Sequence, residues 1–267
     1  FKEAETMKTI VITGSTRGIG LGMAQEFLRQ GCQVVINGRK PEAIQAAMEK
    51  CSAIAGKERL LGVCATSVNP ADLQRLWDEA VAHFGRVDVW INNAGISNML
   101  REFWTLEPDE LRSVIETNVI GSMYGSRVAI RGMLEQGGGA LYNLEGLGSD
   151  KNARKVRGLA PYGTSKAALR YFNDALMKEV EGLPVIVGAL QPSMVYTDMI
   201  SKQYENDPVG WEKNKRLFSI LSQPVDVVAP FLVRRILENQ KNGVRIHFSS
   251  TFKITWGFMK MAIMRQK

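Results

Sequence analysis

Residues 8–30 run from a β-branched apolar segment through a glycine-rich turn directly into an amphipathic helix. Thr9-Ile10-Val11-Ile12 has the composition of a buried strand, and Gly14, Gly18 and Gly20 crowd the turn that follows it. Leu21, Ala24, Phe27 and Leu28 then recur at helical spacing until Gly31. A strand that turns at once into a helix needs a crossover back to a parallel neighbour, and Gln33–Asn37 reads as that neighbour. This opening commits the chain to an open α/β sheet.

The remaining sequence keeps the alternation. Helices are expected at Pro41–Ala55, Pro70–Phe84, Pro108–Gln136, Pro161–Glu181 and Pro224–Gln240. Strands are expected at Leu60–Thr66, Val87–Asn92, Ala140–Leu144, Pro184–Gln191 and Val244–Ser249, with 199–223 irregular or helical. Strands separated by helices of this length predict a doubly wound parallel sheet of about seven strands, covered on both faces: a Rossmann fold. No repeat, linker or compositional break divides residues 1–267, so one domain is expected.

Composition excludes several classes. The 45% hydrophobic share is that of a globular protein with a substantial core, and no apolar run is long enough to span a bilayer. The first residues, Phe1-Lys2-Glu3-Ala4-Glu5-Thr6, lack the apolar region of a secretory signal. Three scattered cysteines and two histidines supply neither a disulfide framework nor a metal-ligand cluster, so no metal is expected. The net charge of +7 is spread along the chain. It suits a phosphorylated cofactor or an anionic surface, and nucleic acid is not an expected partner.

The turn Thr13-Gly14-Ser15-Thr16-Arg17-Gly18-Ile19-Gly20 joins the first strand to the first helix. Glycines there permit a tight bend and bring backbone N–H groups and a helix N-terminus against a pyrophosphate. The second strand ends Asn37-Gly38-Arg39-Lys40, with no carboxylate to accept bonds from a ribose 2′-OH. Arg39 and Arg17 instead offer forked guanidinium donors to a 2′-phosphate, which favours NADPH over NADH. Farther on, Tyr162 and Lys166 stand four residues apart, on one face of a helix. An ammonium beside a phenol favours the phenolate and would draw the tyrosine toward working range as an acid–base group.

The glycine spacing, Asn92-Asn93-Ala94-Gly95 after the fourth strand, and Tyr162-Gly163-Thr164-Ser165-Lys166 together resemble the short-chain dehydrogenase/reductase family. The resemblance implies hydride transfer between a nicotinamide and a carbonyl or alcohol, with Tyr162 as proton donor and Lys166 assisting it. It implies that Asn118 holds a water in the proton relay, and that the Asn92–Gly95 signature supports the central sheet and, through Asn92, Ala94 and Gly95, lines the adenosine-ribose side of the cofactor. It also implies that Pro192, Val195 and Thr197 meet the nicotinamide amide and phosphates, although Ser193 replaces the family's glycine. The usual adenine-contacting Asp is replaced in Ala65-Thr66-Ser67-Val68. The usual Ser-Ser pair after the fifth strand is replaced by Glu145 and Gly146, so Ser149, thirteen residues before Tyr162, is expected to orient the substrate carbonyl.

Asn143-Leu144-Glu145-Gly146-Leu147-Gly148-Ser149 narrows the resemblance to the chlorophyll(ide) b reductases, which carry N-x-D-G-x-G-S before Y-G-x-T-K. That group would imply reduction of the 7-formyl of a chlorophyll b-type macrocycle to hydroxymethyl. A reductase of another bulky apolar aldehyde or ketone, or a non-catalytic NADPH-binding regulatory protein, would carry the same motifs. Residues 199–223, with Met199, Tyr204, Trp211, Leu217 and Phe218, are expected to form an apolar lid. The tail 252–267 mixes apolar and basic residues and would suit either an anionic membrane surface or a subunit contact. The family implies a homodimer or homotetramer through the helices near 108–136 and 161–181. Cytoplasm is the expected compartment, with a plastid as the alternative for a chain that has lost a transit peptide.

Overall fold

The computed structural model of the protein describes residues 7–149, 155–205 and 207–248. Asp150, the tail 252–267 and the strand end at Ser249 lie outside the described residues, as do the side chains of 216, 217 and 219–221. Seven parallel strands form one sheet: β1 (Thr9–Ile12), β2 (Gln33–Gly38), β3 (Leu60–Cys64), β4 (Val89–Asn92), β5 (Gly139–Leu144), β6 (Val185–Gln191) and β7 (Arg245–His247). Between them run α1 (Gly18–Arg29), α2 (Pro41–Ser52), α3 (Pro70–Phe84), α4 (Pro108–Ile115), α5 (Gly121–Glu135) and α6 (Ala160–Glu179). Next come α7 (Asp198–Lys202), α8 (Pro208–Leu221) and α9 (Val225–Glu238). The sheet order is β3-β2-β1-β4-β5-β6-β7, so the winding reverses between β1 and β4. Ligands of such sheets bind in the crevice beyond the strand ends at that reversal.

Alternation along each strand divides the core in two. Ile10, Ile12, Val34, Ile36 and Ile91 pack toward Phe27 and Leu232, on the side of α1, α2 and α9. Val11, Val35, Trp90 and Leu141 pack on the other face against Leu73, Trp77 and Met133, from α3 and α5. Strands buried on both faces read as near-continuous apolar runs, which is why they stand out in the sequence. Two glycines allow α5 to approach β4 and α3 closely. A Cβ on Gly125 would fall 2.1 Å from Asn92 Oδ1, and one on Gly132 would fall 2.1 Å from the Trp77 ring.

Several boundaries differ from expectation for identifiable reasons. The strand expected from residue 87 begins at Val89, because the Val87 backbone N–H and C=O are both taken by the side chain of Gln136. The single helix expected over 108–136 is interrupted by a π-helical turn at Glu116–Ile120. Asn118 lies in that turn, and its amide spans the backbone of Ile96, accepting from the N–H at 2.8 Å and donating to the C=O at 2.9 Å. Inserted turns of this kind are typical of functional sites within helices. No helix among the described residues is long and apolar enough to cross a membrane.

Candidate active site

A cavity of about 1290 Å³ opens along the C-terminal ends of the strands. Its first end is the glycine turn. Gly14 and Gly18 have φ of +63° and +58°, values that glycine adopts without steric cost. The turn is held from three directions. Asn37 accepts from the Gly14 N–H at 3.1 Å while donating to the Val63 and Ala65 carbonyls. Asn93 donates to the Thr13 and Gly14 carbonyls at 2.8 and 3.1 Å, and Thr13 Oγ1 accepts from the N–H groups of Asn93 and Ala94. Thr197 closes the far side, 3.6 Å from where a Cβ on Gly18 would stand.

Gly14, Thr16, Arg17, Gly18, Ile19 and Gly20 line this end, with Arg39 beside them. The N-terminus of α1 aims its free N–H groups into the space, a setting that fits a pyrophosphate. Arg17 and Arg39 are exposed at the rim, and neither makes an ion pair among the described residues. Ala94, Gly95, Pro192, Val195 and Thr197 continue the wall toward the middle of the cavity.

Two expected cofactor contacts need correction. Ser15 is fully buried, its hydroxyl donating to the Ile12 carbonyl and accepting from the Asn37 N–H, so its side chain braces the turn from behind. Asn92 also faces away. It accepts from Trp90 Nε1 at 2.8 Å and donates to Ser122 O, Ser126 Oγ and Asn143 Oδ1, which ties β4 to α5 and β5. Because β4 alternates, Asn92 points into the α5 layer while Asn93, not singled out from the sequence, holds the glycine turn. The signal for Asn93 was its place in the same motif, one residue later.

Tyr162 and Lys166 project from the first turns of α6 into the middle of the cavity. Lys166 is buried, and its Nζ donates to the Leu144 carbonyl at the end of β5, at 2.8 Å. The same Nζ lies 5.9 Å from the centroid of the Tyr162 ring. Burial pushes the ammonium down to about 8, with Glu145 acting against that shift. Burial pushes the Tyr162 phenol up to about 12, opposite to the direction expected from the sequence. Loss of solvent around the phenolate outweighs the ammonium, so the proton rests on the phenol at neutral pH.

Asn118 and Ser149 are near the pair but are otherwise engaged. Besides bonding to Ile96, Asn118 Nδ2 donates to Ser165 Oγ at 2.9 Å, and its side chain lies behind the wall. Gly95 stands between it and the lysine: a Cβ there would lie 3.2 Å from Asn118 Oδ1 and 3.8 Å from Lys166 Nζ. Ser149 lines the cavity, and its hydroxyl donates to the Gly146 carbonyl at 2.6 Å, folding residues 146–149 into a tight turn. That turn packs closely on α6, since a Cβ on Gly148 would fall 2.4 Å from the Gly163 carbonyl.

The opposite end mixes apolar side chains with Arg157, Asp198, Lys202 and Gln203. Leu147, Val156 and Leu159 form one side, and Met194, Met199, Tyr204 and Phe218 the other. Tyr204, Trp211 and Phe218 form a ring cluster with centroids 5.8 to 6.2 Å apart, joining α7 to α8. The excursion that carries them returns at a single bridge between Val195 and Gln223.

A cavity with a phosphate-binding turn at one end and an acid–base pair at its middle defines an oxidoreductase that works with a nicotinamide dinucleotide. A family profile described as short chain dehydrogenase matches residues 8–208, and the chain belongs to that family. It is 30% identical over 257 residues to a probable chloroplastic chlorophyll(ide) b reductase of Oryza sativa subsp. japonica, covering 90% of this chain and 49% of the relative. A second chloroplastic chlorophyll(ide) b reductase of the same organism is 34% identical over 232 residues, covering 85% of this chain and 66% of the relative. The chain thus spans about half to two thirds of the length of these relatives. Among solved structures, levodione reductase superposes with a TM-score of 0.83 at 20% identity, covering 92% of this chain and 97% of the other. A gluconate 5-dehydrogenase from Burkholderia cenocepacia J2315, in complex with NADP and tartrate, does so with 0.74 at 23% identity, covering 93% and 95%.

Proposed function

We propose that the protein is an NADPH-dependent carbonyl reductase acting on a bulky apolar aldehyde, with the 7-formyl group of chlorophyll(ide) b as its substrate. The observation that carries this reading is the continuity of the cavity. One space joins the guanidinium groups of Arg17 and Arg39, which make no ion pair among the described residues, to the Tyr162–Lys166 pair and then to the side chains of Met194, Met199, Tyr204 and Phe218. Likeness to two chlorophyll(ide) b reductases supports the choice of aldehyde.

The nicotinamide, when bound, supplies a hydride to the carbonyl carbon. The protein's own residues manage the rest. The glycine turn and the α1 N-terminus hold the pyrophosphate, and Arg17 and Arg39 hold the 2′-phosphate. Tyr162, protonated at neutral pH, donates its proton to the carbonyl oxygen as charge develops there. Lys166 stabilises the phenolate left behind, and Asn118, bonded to Ile96 and Ser165, braces the wall at Gly95 rather than reaching the cavity to hold a relay water. Ser149 turns its hydroxyl from Gly146 to the substrate oxygen. Residues 199–223 act as the lid, and their rings exclude water from the reacting carbon.

The test is NADPH oxidation by the purified protein with chlorophyllide b, beside NADH and a Tyr162→Phe control. Turnover that prefers NADPH, requires Tyr162 and yields the 7-hydroxymethyl product is the expected result. Cofactor binding with no turnover would remove the pigment reading.

A further inference from the structure

Glu145 is the first residue after β5, directly following Leu144, whose carbonyl holds Lys166. It is 1% exposed, and the proton path described above makes no use of it. A carboxylate sealed into an α/β core at the end of a central strand is costly unless donors surround it. Here they do. Asn173 Nδ2 donates to Oε1 at 2.9 Å, Gln191 Nε2 to Oε2 at 2.6 Å, and Arg245 to Oε1 at 3.3 Å.

The charged groups around it come from two elements. Arg245 of β7 is shared, donating also to Asp174 of α6 at 2.5 Å. Arg170 of α6 stands 3.8 Å from Asp174 and donates to the Ser149 carbonyl at 2.7 Å. Lys166, on the same helix as Asp174, presents its ammonium one peptide away from Glu145, with Tyr162 one turn before it. Arg245 divides its bonds between two carboxylates and Arg170 faces Asp174 rather than Glu145, so part of the negative field of Glu145 falls on the buried ammonium.

We propose that Glu145 is a positioning residue for proton transfer, acting through Lys166: its carboxylate holds the lysine in the ammonium form beside Tyr162. The assignment rests on the reductase reading for its role in turnover. Burial draws Lys166 down to about 8, and the carboxylate opposes that fall. Without it, the lysine would hold its proton over a narrower range of pH. A hydrogen-bonding tether alone would fix the loop and leave the lysine's titration where it is.

The experiment is a pH titration of Lys166 Nζ by NMR in lysine-labelled protein, its signal identified by loss in Lys166→Arg, with no carbonyl present. In Glu145→Gln, which keeps the shape, the midpoint is expected to fall by roughly one pH unit. Glu145→Asp should restore it. Arg245→Gln should move it the other way, because a cation leaves the same cluster, and it serves alone if Glu145→Gln does not fold. An unchanged midpoint in Glu145→Gln, or one that does not rise in Arg245→Gln, overturns the proposal. The titration needs no substrate, so an absence of carbonyl turnover in the wild-type protein would strike the reductase reading and leave this result standing. Where turnover is present, the alkaline limb of kcat should move with the midpoint while KM for NADPH holds.

Discussion

The phenol oxygen of Tyr162 lies 2.7 Å from the point at which a Cβ on Gly146 would stand. The absent side chain is what leaves the proton donor its room. The family motif that this loop resembles has a serine at this place, where this chain has none. On the proposed reading the polar duty falls to Ser149 at the far end of the same turn, whose hydroxyl closes on the Gly146 carbonyl.

Substituting Gly146→Ala should therefore damage chemistry more than folding. The added methyl must displace the phenol, and a shift approaching 1 Å at the reacting oxygen costs on the order of 100-fold in kcat. Steady-state kinetics beside a melting curve would check this. Unchanged kcat in a folded variant would show that the phenol works from another position.

Reduction should depend on pH through the lysine. Lys166 is depressed to about 8, so it is charged at neutral pH and loses its proton as pH rises through that value. Tyr162, raised to about 12, keeps its proton across the same range. Carbonyl reduction should be level below pH 7 and fall about tenfold per unit above roughly pH 9. A limb starting only near the ordinary range of lysine would contradict the burial of Lys166.

Cofactor choice should follow the two rim arginines. Replacing both Arg17 and Arg39 by Ala should raise KM for NADPH by about 10- to 100-fold, as expected for losing charge-assisted bonds to a phosphate. KM for NADH should change little. Equal losses with both cofactors would place the arginines elsewhere than on the 2′-phosphate.

Ser193 has φ of +61°, the one described non-glycine residue in the left-handed region. Its place in the family's P-G-x-x-x-T segment belongs to glycine, and the backbone retains the conformation that glycine favours. Ser193→Gly should stabilise the protein by about 1 kcal/mol by releasing that strain, less the extra freedom gained by the unfolded chain. Thermal or urea unfolding measures it, and a lowered midpoint would mean that the serine side chain contributes bonds of its own.

Much of this arrangement is legible in the sequence. Residues 8–30 show their strand, turn and helix because the strands are apolar on both faces and the turn requires glycine. Tyr162 and Lys166 are legible because helical spacing alone brings them to one face. Other features are not, because they arise from tertiary packing. The π turn at Glu116–Ile120 has no signature in its residues; it accompanies the bonds that Asn118 makes to Ile96, 22 positions earlier. Asn92 and Asn93 are identical in type, and only strand alternation decides which holds the glycine turn. Glu145 reads in sequence as a departure from a serine pattern. Its meaning comes from Arg245, 100 residues later on a neighbouring strand pair.

The bridge between Val195 and Gln223 brings the chain back, after 28 residues, to the point from which it left. Everything between these two residues is a detour whose ends are fixed together. Lengthening such a detour costs little closure entropy. The stretch beyond Thr197 can thus be exchanged for another while Thr197 keeps its place against Gly18. On the proposed reading, recognition and chemistry then lie on separate parts of the fold, and the two can diverge at different rates.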